Sequence, residues 1–585
     1  GQPTLTSDLG GVLSYAGYGT FGRKYFQGHA SGNSAETERR SCTGVSCPAG
    51  AVYRELTVSA DGGESLVYFD NLARPIRKQV VSFDGELITT DTQYDDSGRV
   101  RKVSNPYKPG TTVYWSENLY DVLGRIIEVK DPASNSSTTS FSSHSDGGFV
   151  GQKIIATNAE GQTKTTISDA RGLAYEVTDD LGGRISYSYD ARGNLTSLGS
   201  KGTSASPLNI ETEIDYDLLG RRVALDDPDQ GEWEYEYNVF GELTKQTDAL
   251  NQSSVMSYDS LGRLISRVDK ESDGTTIEGS ASWVYRNSGD GIGKLDIESD
   301  SVSDFVKVYD YDSLGRIRQT YTAIGENGTD GEYNEYTTYD AYGRVFQQVD
   351  ATNHGQQFEY NAYGYLEYVK EATDTDTKYY AITEMDAWGN VSEALLGNGL
   401  TEHKSYQPDT GLPDRIAVSH PYAGFLQDNS YTFNTIGILT ERDRYLESGD
   451  STISETFHYD ELNRLTETKL DGITDTSFSY DITGNITSKS DVGSYSYGAN
   501  GAGPHAVTSA GSNSYTYDDA GNMLTGGGRT VSYNTFRKPV SMTKGGHTTS
   551  FEYGPDRSRY KRVDDDGSIE KTTIYVGNVE FINFS

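Results

Sequence analysis

Residues able to do chemistry are plentiful in this chain but poorly arranged for it. The segment AGYGTFGRK holds Gly17, Gly19 and Gly22 in the G-x-G-x-x-G spacing that can cradle a pyrophosphate. That use needs a strand before it, a helix after it and an acidic residue about twenty positions on. The RKYFQGHASGNS that follows cannot sustain a helix, and the lysine, catalytic-loop and metal motifs of a kinase are missing. GDGIGKL from Gly289 fails the P-loop spacing, with Leu295 where Ser or Thr should follow the lysine. DKESDGTTIEG from Asp269 is acidic like a calcium loop, but its closing Glu278 falls too early. The eight histidines run from His29 to His547 with no two within five residues, and neither G-x-S-x-G nor H-E-x-x-H occurs. No catalytic, cofactor-binding or metal-binding residue is assigned, and no cofactor is called for.

Carboxylates could serve sugar hydrolysis, but 86 acids guarantee close pairs somewhere, so such pairs carry no information. Against 50 Lys and Arg they leave a net charge of −36. That balance argues against nucleic acid, which needs a basic footprint, and against an anionic membrane surface. No apolar run is long enough to span a bilayer. Exposed Tyr or Trp (Trp115, Trp233, Trp283, Trp388) suits cell-surface glycans as a minor expectation. Cys42 and Cys47, the only cysteines, fit either a small disulfide loop or two free thiols.

The elements that would position any site come from a recurring phrase: Tyr-Asp, two residues, Gly, Arg or Asn, then an aliphatic residue. Its clearest copies are Tyr120, Asp121, Gly124, Arg125; Tyr216, Asp217, Gly220, Arg221; Tyr258, Asp259, Gly262, Arg263; Tyr311, Asp312, Gly315, Arg316; and Tyr339, Asp340, Gly343, Arg344. Further copies are YDARGNL from Tyr189, YDELNRL from Tyr459, YDITGNI from Tyr480 and YDDAGNM from Tyr517. The step from Tyr216 to Tyr237, Tyr237 to Tyr258, Tyr339 to Tyr360 and Tyr459 to Tyr480 is 21 residues. That length fits two strands of roughly 6–8 residues and two turns. Asp can bond amides further along a turn, and Gly accepts the positive φ that a β-carbon penalises. Each copy therefore reads as a hairpin corner and not as a site. The tyrosines would stack as a ladder of rings, and each Arg would bond an Asp of a neighbouring turn or lie over a ring. No segment has helical apolar spacing.

Composition agrees with a thin wall. Dropping the 44 Tyr from the 34% hydrophobic fraction and adding the 65 Gly gives roughly 37% apolar residues, below the usual ~45–50%. A curved sheet wetted on both faces needs less apolar surface than a solid globule.

The phrase resembles the signature of the YD-repeat, or Rhs-repeat, family over roughly Val52 to Gly577. VYFDNLARPI from Val67, DPDQGEWEYEYNVFGEL from Asp227, YRNSGDGIGKL from Tyr285, LLGNGL from Leu395, FHYDELNRLTE from Phe457, GPHAVTS from Gly503 and FEYGPDRSRYKR from Phe551 look like its bacterial Rhs and toxin-complex branch. The resemblance implies an all-β array of antiparallel hairpins wound into a spiralling hollow shell, or part of one, with almost no helix. It also implies a secreted protein whose shell sequesters a C-terminal toxin or effector cargo, with other shell segments of the parent protein as partners. The teneurins carry a related shell in cell adhesion, so adhesion or glycan binding is the alternative function; a polysaccharide-acting enzyme is the third. Many bacterial members end in a DPxG-type self-cleavage segment. The Asp-Pro pairs at Asp131 and Asp227 do not sit in such a context, so self-cleavage and toxic activity are carried onto no residue here. The start GQPT, without Met, reads as an excerpt of a longer protein.

Residues 1–50 are expected to be an irregular Gly/Ser-rich lead-in with the charge cluster NSAETERRS, and 51–585 the repeat shell. Asp131 to Gly148, Asp269 to Gly279 and Thr320 to Glu335 read as solvent loops, SKGTSASP from Ser200 as a lengthened hairpin loop, and Gly498 to Gly528 as a place where the spiral tightens.

Overall fold

Alternating short strands and tight turns fold here in the simplest way available. In a computed structural model, residues 4–8, 11–19, 22–146, 149–203, 207–374, 376–445 and 452–584 are described. They form 51 antiparallel strands in one sheet, from Leu5–Ser7 to Val579–Phe584. Neighbours in sequence are neighbours in the sheet throughout, for example Ser253–Tyr258 with Leu264–Lys270 and Leu264–Lys270 with Ile277–Tyr285. Among the described residues helix is limited to short 3-10 turns such as Glu326–Gly328 and Ala499–Gly501.

The corner is a tight turn closed by backbone bonds. Gly262 donates to the Asp259 carbonyl at 3.0 Å and Asp259 to the Arg263 carbonyl at 2.9 Å. Gly262 sits at φ 77°, and the strand register shifts by one residue between Ser257 and Tyr258. This is a turn followed by a left-handed residue and a bulge, a combination that suits the right-handed twist of the flanking strands. The left-handed position is kept even where glycine is absent: Asn463 in YDELNRL has φ 62° and Ala73 in FDNLAR φ 60°.

Two of the three expected solvent loops are largely strand, while the centre of Asp269 to Gly279, residues 271–276, is an exposed hairpin loop. Ser136–Asp146 pairs with Phe149–Thr157 along its whole length. Asp269 belongs to the strand Leu264–Lys270 and is fully buried, and Thr320 to Glu335 lies mostly in Ile317–Ile324 and Gly331–Tyr339. The expected irregularity of residues 1–50 is likewise corrected, since strands run at Leu5–Ser7, Leu13–Tyr18, Lys24–His29 and Ser34–Ser41. The charge cluster is a strand because its charges pair across the ladder: Arg39 Nε donates to Glu55 Oε1 at 2.7 Å, and the Thr37 and Thr57 hydroxyls meet at 2.9 Å. The centre of SKGTSASP, residues 204–206, lies outside the described residues.

The ribbon winds into a spiral. Asn105 bonds the Pro408 carbonyl 303 residues on, and Asn463 bonds Gln162 across 301 residues. Later the return is shorter, 257 residues from Ser303 to Tyr560 and 231 from Asp330 to Lys561. The return is shortest at the C-terminal end, although Gln230 to Arg537 still spans 307 residues, and the chain makes about two turns.

Surface area shows that this spiral is not filled. A compact monomer of 64.1 kDa exposes about 20,000 Å², whereas this chain exposes 31502 Å². Both faces of the sheet meet solvent. One small core, built on Phe305, Ile324, Tyr560, Ile574 and Val576, forms where the second turn passes the first.

Replacing Gly262 by Val is expected to cost more than ~1 kcal/mol, because the left-handed backbone is lost and the new β-carbon would stand 3.0 Å from Glu242 Oε1. Hydrogen exchange should quicken around Tyr258 to Ile265; unchanged protection there would refute the turn assignment.

Candidate functional site: the corners and the seam

Most corners are small electrostatic machines built on one aspartate, with asparagine in its place at Asn238, Asn361 and Asn434. Asp259 Oδ1 accepts the backbone N–H groups of Leu261 at 2.8 Å and Arg263 at 3.0 Å, while Oδ2 accepts Arg263 Nε at 2.7 Å. Thus held, the Arg263 guanidinium lies 4.2 Å from the centre of the Tyr285 ring in the next unit. Tyr285 in turn donates its hydroxyl to the Leu264 carbonyl, immediately after that arginine, at 3.1 Å. Asp121–Arg125 faces the Phe141 ring, and Asp217–Arg221, Asp312–Arg316 and Asp340–Arg344 face Tyr237, Tyr339 and Tyr360 in the same way. The hydroxyls of Tyr120, Tyr258, Tyr311, Tyr339 and Tyr360 all donate to a carbonyl of the preceding unit.

Two details differ from the sequence reading. The arginine bonds the aspartate of its own turn, not of a neighbouring one. The ladder alternates guanidinium and ring, where stacked tyrosines were expected. The reason is reach: neighbouring corner tyrosines stand a full hairpin apart, and the guanidinium fills that gap as a flat cation over a ring.

The carboxylates of Asp121, Asp217, Asp259, Asp312 and Asp340 are held below their ordinary range. For Asp121 and Asp217 the backbone N–H of the turn arginine is the main cause; for Asp259 it is the Arg263 side chain, then its backbone N–H. Both oxygens of Asp259 are engaged within the turn itself.

The second construction is the seam between spiral turns. Corners of the second turn press on the opposite edge of the first, and close approach there requires glycine: a β-carbon on Gly32 or Gly62 would overlap the carbonyl oxygen of Ala341 or Ala362. His505 donates its backbone N–H to Asp229 Oδ1 at 2.9 Å, and its ring lies 2.6 Å from Asp229 Oδ2. Arg537 bonds Gln230 and lies 4.4 Å from the centre of the Trp233 ring. Thr535 N–H donates to Glu278, whose carboxyl is pushed up by burial. Asp269, fully buried, accepts Ser254 Oγ at 2.5 Å, Arg267 Nε at 2.9 Å and Arg557 Nη2 at 3.1 Å. Arg267 also reaches the Pro555 carbonyl at 2.9 Å.

Motif reasoning did not find this seam. Its signal is nonetheless in the chain: DPDQGEW, GPHAVTS and FEYGPDRSRYKR depart from the repeat, and they contribute Asp229, His505 and Arg557. Cys42 and Cys47 are joined in a disulfide, with Cα atoms 5.9 Å apart, in the turn between Ser34–Ser41 and Tyr53–Ser59. Among the described residues no group of three or more His, Cys, Asp or Glu is placed to hold a metal ion.

The RHS repeat matches residues 237–276, which span the corners at Asn238 and Asp259. No curated protein matches the sequence. Among solved structures, that of TcdB2-TccC3 superposes with a TM-score of 0.80 at 16% identity, over 100% of this chain and 36% of the other. The Photorhabdus luminescens Tc holotoxin pore gives 0.76 at 17% identity, over 91% and 32%. TcdB2-TccC3 without its hypervariable C-terminal region gives 0.75 at 16% identity, over 91% and 32%. The chain thus spans about a third of the length of the structures it resembles. It carries the RHS repeat and has the fold of the toxin-complex shell.

Proposed function

We propose that this chain is the wall of a containment shell, a structural module of a secreted toxin-complex-like protein that sequesters a cargo segment. The single observation that carries the reading is the seam. Two turns of one ribbon are locked edge to edge by buried ion pairs and glycine contacts, while the enclosed side of the sheet stays solvated. A wall needs that combination, and a solid enzyme or a flat adhesive surface does not. The hypervariable C-terminal region named for TcdB2-TccC3 supports a cargo of changing identity. The corner and seam residues act as ties, which supports a scaffold without a reaction of its own.

The first-turn rim indicates where the wall continues. Corner tips Leu123, Leu219, Phe240 and Leu261 are between 71% and 85% exposed. The equivalent second-turn tips sit in the seam; Ala520 is 2% exposed. One position in the repeat is covered in one turn and bare in the other, so further shell segments of a parent protein are the partners this rim fits.

Small-angle scattering tests containment directly. A filled globule of this length has a radius of gyration of roughly 25 Å; a hollow wall should exceed it, with a distance distribution shifted to long vectors. A filled-sphere profile would overturn the reading. Replacing Asp269 by Ala should strand Arg267 and Arg557 in the seam at a cost of about 3–5 kcal/mol. Trypsin sites near the seam should open while the corners stay protected by hydrogen exchange.

Acid should open the same wall. A carboxylate held low in the folded state lends stability that is complete above its unfolded value, near 3.9, and is lost as pH falls through the folded value. Asp84 marks the lower end: against the desolvation of its site, Lys108 and Ser82 hold it at about 2. Thermal stability should therefore stay nearly level from pH 7 to 5 and collapse between about pH 4 and 2. A midpoint that held through that window would contradict the role given to the corner aspartates.

A further inference from the structure

Three departures from the regular corner meet at one place in the wall. The loop Asn105 to Tyr114, with Pro106 and Pro109, replaces the short Asp turn used elsewhere on that edge. The facing corner, Asp386 to Asn390, carries Trp388 at its tip, 40% exposed, and Asn390 where an arginine usually stands. The next corner, YQPDTGL from Tyr406, is one residue longer than the Asp259–Arg263 type. Between them lies a half-open pocket of about 320 Å³, more apolar than polar in its lining.

Substituting Asn390 for arginine changes what Tyr406 offers. At corners that carry the arginine, such as Arg263, a guanidinium covers the ring of the following unit and that tyrosine's hydroxyl is tied to a carbonyl. Among the described residues, neither a cation over the Tyr406 ring nor a hydrogen bond from its hydroxyl is found. Trp388 Nε1 and the hydroxyls of Tyr114 and Thr112 likewise have no hydrogen-bond partner among the described residues, and all four residues line the pocket. Trp388 is braced from behind, with Gly411 leaving 3.5 Å between a notional β-carbon and its ring.

The charges around the pocket are already matched. Lys108 is bound to Asp84, and Asp386 spends its oxygens on Trp388 N–H and Asn390. What remains is flat aromatic surface ringed by neutral donors and acceptors, at the small end of the usual pocket range of roughly 300–1,000 Å³. A sugar ring matches that set: its C–H face lies on an aromatic plane while its hydroxyls meet Tyr, Thr and indole groups. We infer that the pocket between the Asn105–Tyr114 loop and the Trp388 corner is a binding site for a neutral saccharide. This is independent of containment, since a wall would stand equally well with the pocket empty.

The test is titration of the 585-residue protein with cellobiose, maltose, lactose and N,N′-diacetylchitobiose, read by calorimetry and by indole fluorescence. A decaproline peptide, which also favours aromatic grooves, forms a separate arm. At least one saccharide should bind saturably in the millimolar range or tighter. Trp388→Ala should weaken it at least tenfold and Tyr406→Phe severalfold, with Trp115→Phe leaving it unchanged. Tyr406→Phe keeps the ring, so its effect reports the hydroxyl and not a loss of fold. Binding of none of the sugars, binding that survives Trp388→Ala, or binding of decaproline alone would each overturn the inference.

Discussion

Everything in this molecule depends on one carboxylate placed at a turn. An aspartate that bonds two backbone amides and one guanidinium fixes the turn, and by fixing the arginine it decides what covers the next tyrosine. Each of these contacts is small alone: an exposed ion pair contributes about 0–1 kcal/mol and a cation over an exposed ring about 0.5–1 kcal/mol. Their value lies in coupling. The same arginine belongs to one turn through its Nε and to the next hairpin through its flat face, so each unit orders its successor. That is how a sheet with little core keeps one register over 51 strands.

How far the fold could be read from sequence follows from the range of the interactions. The corners were legible because Asp and Gly in Asp-x-x-Gly act within five residues, and the 21-residue step carries the strands with it. The strands at Ser34–Ser41 and Ser136–Asp146 were not, because polar and charged residues that pair across a two-sided solvated sheet look like loop. Own-turn pairing of Asp259 with Arg263 was missed for a related reason: sequence gives the two residues and their spacing but not which of two nearby carboxylates a long side chain will choose. The seam was beyond reach, since Asp269 and Arg557 are 288 residues apart and no local pattern joins them.

The seam uses different physics from the ribbon. Along the ribbon, charges sit at the surface and are worth little one by one. Across the seam, Asp269 is fully buried between two arginines, where removing one partner is costly and a mismatched neighbour is strongly disfavoured. Such pairs give more specificity than stability. They fix which corner of the second turn meets which edge of the first, and so set the pitch of the spiral.

The pitch has a consequence in time. Contacts within the ribbon join strands about ten residues apart, so they can form as soon as a hairpin exists, whereas seam contacts join residues 231 to 307 apart and must wait for the second turn. The first turn is then an open crescent while the rest of the chain is still being made. Closure is a late event, driven by a few buried pairs once the loop entropy has been met. The order in which the chain is made, and not only the finished shape, therefore bears on when an enclosure of this kind closes.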